Sequence, residues 1–436
     1  RPAAPPAEPG GEIEVRVATL AGGAVGTWLL GRGAAAGTVK EKVRAAAGVQ
    51  PWEQQLIAGT SVLADGARLG DVAGPGSSCL QLCLIRRGLG CALSGGPEGT
   101  VALCDLQRGE KLQLLRGHAG GACFLAADWR ERQLLSGSPD GTLRLWNLQE
   151  HAAPQREMAA GRIGSKDAAA VDWPSRRALV GTMDGGLQLW DLERGEARLQ
   201  LRGHGSCVDF VLVDWAWHCA LSGGRDRTLR LWDLVLGRCA RVLRGHTGSA
   251  QCAAVDWASG RVVSGSFDRT LRVWGARRKE APLVLHGHTD SVQCVAVDWP
   301  ALRALSGGRD GRLRLWDLGG QALAELRGHG HGVSCVAMDW ASRRALSAGG
   351  DRSLWLWDLE RCDALRRLAV GGQGGVACLS VSWAAQRALA GCDDGALRLW
   401  GLQEGPEEGG PDGARPLWEL QGHDGPVLCL AAEWDS

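Results

Sequence analysis

Tyrosine is absent from this 436-residue chain, phenylalanine occurs 3 times, and 5 lysines stand beside 44 arginines. With 65 glycines this bias reads as GC-rich coding, so arginine abundance alone carries little functional weight. Net charge is +1, which excludes a global basic field for nucleic acid or membrane. No run of 18 apolar residues occurs, so no spanning helix is expected. There is no Cys-x-x-Cys pair, no Walker-type glycine loop, no dinucleotide fingerprint, no HExxH and no EF-hand loop, so no cofactor or metal is expected. What remains is a chain with 45% apolar residues, enough for a sizeable core.

A repeated unit organises most of it. Its clearest copy runs Gly287-His288, Ser306, Asp310, Trp316-Asp317, with His-to-Ser, Ser-to-Asp and Asp-to-Trp intervals of 18, 4 and 6. The same intervals join His118, Ser136, Asp140 and Trp146; His204, Ser222, Asp226 and Trp232; His246, Ser264, Asp268 and Trp274; and His329, Ser347, Asp351 and Trp357. A period of about 40–45 residues with Gly-His and Trp-Asp marks four-stranded propeller blades. On these residues the segment Gly88–Ser436 resembles the WD-repeat family.

That resemblance implies a mainly β chain ending in a β-propeller. Third strands end at Cys104-Asp105, Trp146-Asn147, Trp190-Asp191, Trp232-Asp233, Trp274-Gly275, Trp316-Asp317, Trp357-Asp358 and Trp400-Gly401, a count of eight. First strands end at eight sites too, from Asp128-Trp129 to Glu433-Trp434. The chain enters the ring on a second strand, Cys91 to Ser94, and ends on a first strand, Val427 to Leu430. The last strand is therefore expected to complete the first blade, which removes an exposed sheet edge. In the competing register Leu80 to Arg87 serves as that first strand, and the C-terminal strand is surplus.

Residues 1–11 are Pro/Ala-rich and are expected to be disordered. From Glu12 to Arg87 the pattern changes. Ile13 to Val17 alternates as a half-buried strand does, Thr38 to Arg44 reads as a Thr-capped helix, and Gln54 to Gly59 and Leu80 to Arg87 read as strands. With Thr19-Leu20-Ala21-Gly22 and Leu63-Ala64-Asp65-Gly66, this order resembles ubiquitin, implying a β-grasp domain over 12–87 before the propeller over 88–436. Arg87-Gly88-Leu89-Gly90 runs into the next domain, so the unit is not a conjugated modifier unless cleaved. The family's apolar recognition patch maps onto Leu20, Ile57 and Cys83, one member weaker than usual.

His, Ser and Asp in one repeat invite a hydrolase reading, but five copies each beside a Trp do not describe one activated nucleophile. The WD-repeat resemblance implies instead a buried chain of hydrogen bonds, Asp to His to Ser to the indole N–H. The blades of Trp190 and Trp400 lack the His and Ser (Val180 and Ala390 stand there), and Glu98 replaces Asp in the blade of Cys104. Cys252, Cys294, Cys335, Cys378 and Cys429 each precede a first-strand Trp by five residues. They read as one blade position, too dispersed to form disulfides and expected in a reducing compartment.

Two binding surfaces are candidates. Arg225, Arg227, Arg269, Arg309, Arg312 and Arg352 lie in the turns between second and third strands and are expected on one face. They form either a solvated rim or a site for phosphorylated or acidic peptides. Trp173, Trp299, Trp340 and Trp383 are followed by arginines three or four residues on, read as turn staples of cation–π type or as an aromatic rim. The acidic stretch Gln403 to Pro416 and the irregular stretch Glu150 to Asp167 are loops on a regular frame.

The expected function is a non-catalytic protein-interaction scaffold or a structural subunit of a larger assembly, binding several proteins, with a propeller monomeric by itself. The alternative is a substrate-recognition or adaptor component in ubiquitin-linked degradation. Cysteine usage points to the cytoplasm. The chain begins at Arg1, so an organellar or ciliary assembly stays open.

Overall fold

The computed structural model describes residues 12–19, 24–47, 54–58, 61–63, 67–73, 79–86, 90–149, 153–275, 281–403 and 415–434. The leader over 1–11 and nearly all of the acidic loop lie outside them. The chain divides between Leu89 and Gly90 into two compact units.

The first unit contains β1 (Glu12–Thr19), β2 (Ala24–Gly31), α1 (Ala36–Ala47), β3 (Gln54–Ala58), β4 (Ser61–Val62), α2 (Leu69–Ala73) and β5 (Cys79–Arg86). Its sheet runs β2-β1-β5-β3-β4, with β1 and β5 parallel and the other pairs antiparallel. A parallel pair needs a long crossover, and the stretch through α1, β3 and α2 supplies it. Ile13, Val15 and Val17, two apart along β1, face one side and bury against Val39 and Val43, four apart on α1. This strand order is consistent with the one that the ubiquitin resemblance implies. The helix starts at Ala36, not at a Thr38 cap, because Ala35 bridges Arg68 and Ala36 N donates to Ala67 O at 2.9 Å. A long-range pairing, invisible to local propensity, sets that end. β5 belongs to this sheet, which removes it from the ring.

The second unit is eight four-stranded antiparallel sheets. Blade 1 joins Cys91–Gly95, Thr100–Asp105 and Glu110–Arg116 to the last strand, Cys429–Ala432. Blades 2 to 8 begin at Phe124–Asp128, Ala169–Asp172, Val208–Asp214, Ala250–Asp256, Val292–Asp298, Val333–Asp339 and Val376–Ser382. Each first strand touches the next, and that of blade 1 touches those of blades 8 and 2, so the ring closes around a central channel. The closing register sets Cys429 opposite Gly95 and Ala432 opposite Ala92. Leu428 N donates to Gly95 O at 2.8 Å and Glu433 N to Cys91 O at 2.7 Å.

The core lies between blades. Trp316 of blade 6 packs with Val292 and Ala304 against Val263, Leu271 and Leu285 of blade 5. Closure has the same chemistry, since Leu389, Leu397 and Leu399 of blade 8 meet Ala92, Cys104 and Leu106 of blade 1. In blades 5 to 8 the first strand carries a one-residue bulge just before Cys252, Cys294, Cys335 or Cys378. A Cβ on Gly265, Gly307 or Gly391 would fall 2.6–2.8 Å from the facing sulfur. Thiol and glycine form a tight pair in blades 5, 6 and 8, while Ala348 faces Cys335 in blade 7. No described cysteine is in a disulfide, and burial pushes Cys252 and Cys378 up to about 12.

Removing the last strand unpairs Cys91–Gly95 and uncovers the blade 1/blade 8 core. A chain truncated after Gly422 is expected to melt well below the full chain and to self-associate. Thermal melting with size-exclusion chromatography checks this, and an unchanged melt would contradict closure by that strand.

Candidate functional site

Each repeated Ser is fully buried and stands between an indole and an imidazole. In blade 6, Trp316 Nε1 donates to Ser306 Oγ at 2.8 Å, Ser306 Oγ lies 2.8 Å from His288 Nε2, and His288 Nδ1 lies 2.9 Å from Asp310 Oδ2. The distances recur for Trp146, Ser136 and His118, for Trp232, Ser222 and His204, and for Trp274, Ser264 and His246. They recur again for Trp357, Ser347 and His329. An indole only donates, so the hydroxyl accepts from it and its own proton is free for Nε2; in the tautomer that takes it, Nδ1–H donates to the carboxylate. The same carboxylates accept backbone N–H groups from the next turn, as Asp310 does from Thr289 at 2.9 Å.

Glycine precedes each His for lack of room. A Cβ at Gly203, Gly287 or Gly328 would sit 2.9 Å from the Trp ring of the same blade. The imidazole side chains have no exposure to solvent. A substrate cannot reach these hydroxyls, so the constellation holds strands together and does no chemistry.

The blades without His and Ser replace them from one other position, two residues before the Trp. In blade 3, Trp190 Nε1 donates to Gln188 Oε1 at 3.1 Å. In blade 8, Gly372 stands where the His would be, and the Arg398 guanidinium fills that space; a Cβ there would lie 2.5 Å from its nitrogen. Arg398 is buried and pairs with Asp394 at 2.8 Å and Glu419 at 2.6 Å. Trp400 Nε1 has no partner. A sixth network crosses the closure. His423, just before the last strand, lies 2.8 Å from Ser94 Oγ and hydrogen-bonds Glu98 through Nδ1. Sequence reasoning placed Glu98 at the Asp position of this blade but did not name His423 and Ser94, which lie at opposite ends of the chain. The available signal was a Gly-His before the final strand and none before the first.

Successive turns of antiparallel blades alternate between two faces. The upper face carries the turns between second and third strands. Arg225, Arg227, Arg269, Arg309 and Arg352 are all exposed there, on the arc of blades 4 to 7. Arg225 pairs with Asp209 at 3.5 Å, and Arg309 lies 5.9 Å over Phe267. Arg312 is half-buried and directed to Glu325 at 3.8 Å. Arg227, Arg269 and Arg352 have φ of 65°, 68° and 60°, where other blades use Gly99, Gly141, Gly185, Gly311 and Gly395. Asp226, Asp268, Asp310 and Asp351 stand beside these arginines in the same turns, and Asp393, Asp394 and Glu98 line the turns of blades 8 and 1.

The lower face carries the Asp-Trp turns. Their Asp is a turn cap: Asp339 Oδ1 accepts from Ala341 N at 3.1 Å and Ser342 N at 3.3 Å. The guanidinium of Arg177 lies 4.7 Å over Trp215, the indole of the next blade, and so links blades 3 and 4. A groove between blades 2 and 3 includes Gln133, Arg156, Arg176 and Glu193, but Arg176 already binds Gln133 and Arg156 the Glu193 carbonyl.

The irregular stretch enters the channel. The first strand of blade 3 is only Ala169–Asp172, and Asp167 O accepts from Val211 N at 2.8 Å. Lys166 reaches across, donating to Ala377 O of blade 8 at 3.1 Å with Cys335 Sγ of blade 7 at 3.7 Å. Of the patch proposed by ubiquitin resemblance, Ile57 is half-buried on β3, opposite Cys83 in register. Leu20 and the Cys83 side chain lie outside the described residues. Among the described residues no His/Cys/Asp/Glu cluster could hold a metal ion.

A closed ring of four-stranded blades, six of the eight carrying an internal His-Ser network, defines a β-propeller. Residues 109–147, 195–233, 237–275, 280–317 and 320–358 match the family described as WD domain, G-beta repeat, and the chain belongs to the WD-repeat propellers. The five matches coincide with the five Asp-His-Ser-Trp sets. A comparison with curated protein sequences finds no match. The crystal structure of the computationally designed Ika8 protein is similar in fold, with a TM-score of 0.60 and 23% identity over 72% of this chain and 90% of that one.

Ser306→Ala leaves the Trp316 N–H and the His288 ring without their shared partner and is expected to cost about 1–3 kcal/mol. Chemical denaturation checks this; a loss below the error of the measurement would dissolve the network's role. Acid acts on the same groups. Burial holds His118, His204 and His288 below their ordinary value. Burial raises Asp140 and Asp351, but hydrogen bonds from Thr142 and Ala119, and from His329 and Gly330, outweigh it and hold both at about 2. All these groups bind protons more readily when unfolded, so their contribution is complete above about pH 6.5. It is expected to fall as pH drops, first through the histidines and then, between about pH 4 and 2, through the carboxylates. Melting temperature against pH reads this out, and a flat profile from pH 7 to 3 would refute it.

Proposed function

We propose that this chain is a non-catalytic scaffold for protein–protein interaction, either an assembly platform or a fixed subunit of a larger complex. The observation that carries it is the direction in which the polar groups point. Ser, His and Asp are consumed inside the blades, while the turns present arginine, tryptophan and leucine side chains to water on a rigid ring. Lys166 lies across the channel, so partners engage the faces and do not thread the ring. WD repeats are a fold of interaction modules, and the partner is set by what the turns carry.

One observation favours a narrower reading. The arginine arc of blades 4 to 7 suits a phosphorylated or acidic peptide, because guanidinium groups bind phosphate and carboxylate with paired hydrogen bonds. Three of its arginines hold a backbone conformation that costs a side chain about 1 kcal/mol or more. With the β-grasp order of the first unit, this fits an adaptor in ubiquitin-linked degradation.

Affinity purification of the intact protein, with and without phosphatase, separates the two. A fixed set of partners insensitive to phosphatase is expected for the scaffold. For the adaptor, Arg225→Glu or Arg309→Glu should weaken phosphopeptide binding at least tenfold without changing the melt. A chain that recovers no stoichiometric partner would overturn both readings.

A further inference from the structure

Blade 4 breaks a rule that its neighbours keep, and the repeat supplies the control. On the lower face, the third-to-fourth-strand turn carries polar residues or glycine elsewhere: Gln107-Arg108, Glu193-Arg194, Gly319-Gly320 and Glu360-Arg361. In blade 4 the same two positions are Val235-Leu236. The adjoining first-to-second-strand turn has Ser175, Ser259 or Ser342 in other blades and Trp217 in blade 4. These are large apolar groups left in water, with Trp217 52%, Val235 72% and Leu236 60% exposed.

The backbone caps of the two turns do not depend on these side chains. Asp233 Oδ1 accepts from Val235 N at 3.0 Å and Leu236 N at 2.9 Å. Asp191 and Asp358 cap Glu193-Arg194 and Glu360-Arg361 in the same way. Asp214 Oδ1 likewise caps Ala216 and Trp217. The two turns are neighbours, because Leu234 N donates to His218 O at 2.9 Å. One continuous apolar patch results, bordered by exposed His218 and exposed Arg238. Arg238 has no ion-pair partner among the described residues.

Area and charge choose the occupant. Three side chains at these exposures offer on the order of 300 Å². A stable interface between two folded copies needs about 800 Å² on each side, so this patch alone is too small for a second copy. It suits one or two apolar anchors of a short extended or helical segment, and Arg238 favours a carboxylate beside them. We propose that the lower face of blade 4 docks a short acidic peptide segment of another protein, which seats its apolar side chains against Trp217, Val235 and Leu236 and a carboxylate on Arg238. The proposal rests on the scaffold reading and is independent of the arginine arc on the opposite face.

The test uses the full chain and a random twelve-residue peptide library displayed on phage, followed by fluorescence anisotropy with the enriched peptides. The variants W217S and V235E/L236R install what other blades carry, so the fold and melt are expected to be unchanged. Enriched peptides should combine apolar and acidic residues, lose at least tenfold in affinity to either variant, and lose several-fold to Arg238→Ala. Absence of enrichment, or binding to both variants within twofold of the parent, overturns the proposal. A parent chain that dimerises while V235E/L236R is monomeric also overturns it, in favour of a second copy. Purification of parent and W217S from cells separates this from the broader reading. Partners retained by both sink the blade 4 site and leave the scaffold standing, whereas partners recovered with neither sink the scaffold.

Discussion

A serine hydroxyl held between an indole N–H and an imidazole is the interaction on which the ring depends. It ties the third strand to the second and, through His and Asp, the second to the turn that enters the blade. An indole N–H buried without an acceptor is costly. Once Trp is fixed between blades by packing, an acceptor for its N–H is therefore stabilising. Five blades use Ser, and blade 3 uses Gln188. Blade 8 leaves Trp400 unpartnered and stabilises its turn through the buried Arg398 ion pairs. The indole thus finds an acceptor in six of the seven blades that carry this Trp, by more than one chemical solution, and blade 8 is the exception.

That requirement also removes the residues from function. Ser, His and Asp in line resemble a catalytic triad on paper, yet the hydroxyl donates inward and the imidazole is sealed. What faces water is decided elsewhere, in turns whose backbone is capped by Asp regardless of the residues that follow. This separation lets one ring carry an arginine arc above and an apolar patch below without disturbing its interior. Closure by the last strand extends the same logic to the ends, since the network of His423, Ser94 and Glu98 crosses the seam.

Much of the architecture was legible in the residues. Fixed intervals among His, Ser, Asp and Trp gave the repeating unit, because each interval is set by strand length and turn geometry, and the recurring ends of third and first strands gave the blade count and the strand that closes the ring. The cysteine position was legible for the same reason. Less legible were features made by contacts distant in sequence. The helix that begins at Ala36 is started by a bridge from Ala35 to Arg68. Arg177 stacks on the Trp of the following blade, where local spacing pointed to its own turn. Lys166 sat in a stretch recognised only as irregular, and its reach to blades 7 and 8 follows from the ring's curvature.

By itself, then, the sequence determined the repeating unit, since a hydrogen-bond chain through four residues admits little variation in spacing, and its number, through strand-end residues that recur even in blades without that chain. The tertiary structure alone decided which turns share a face, which side chains stay in water, and which blade departs from the pattern. Those depend on where eight similar sheets are brought together, and a one-dimensional period carries no record of that placement.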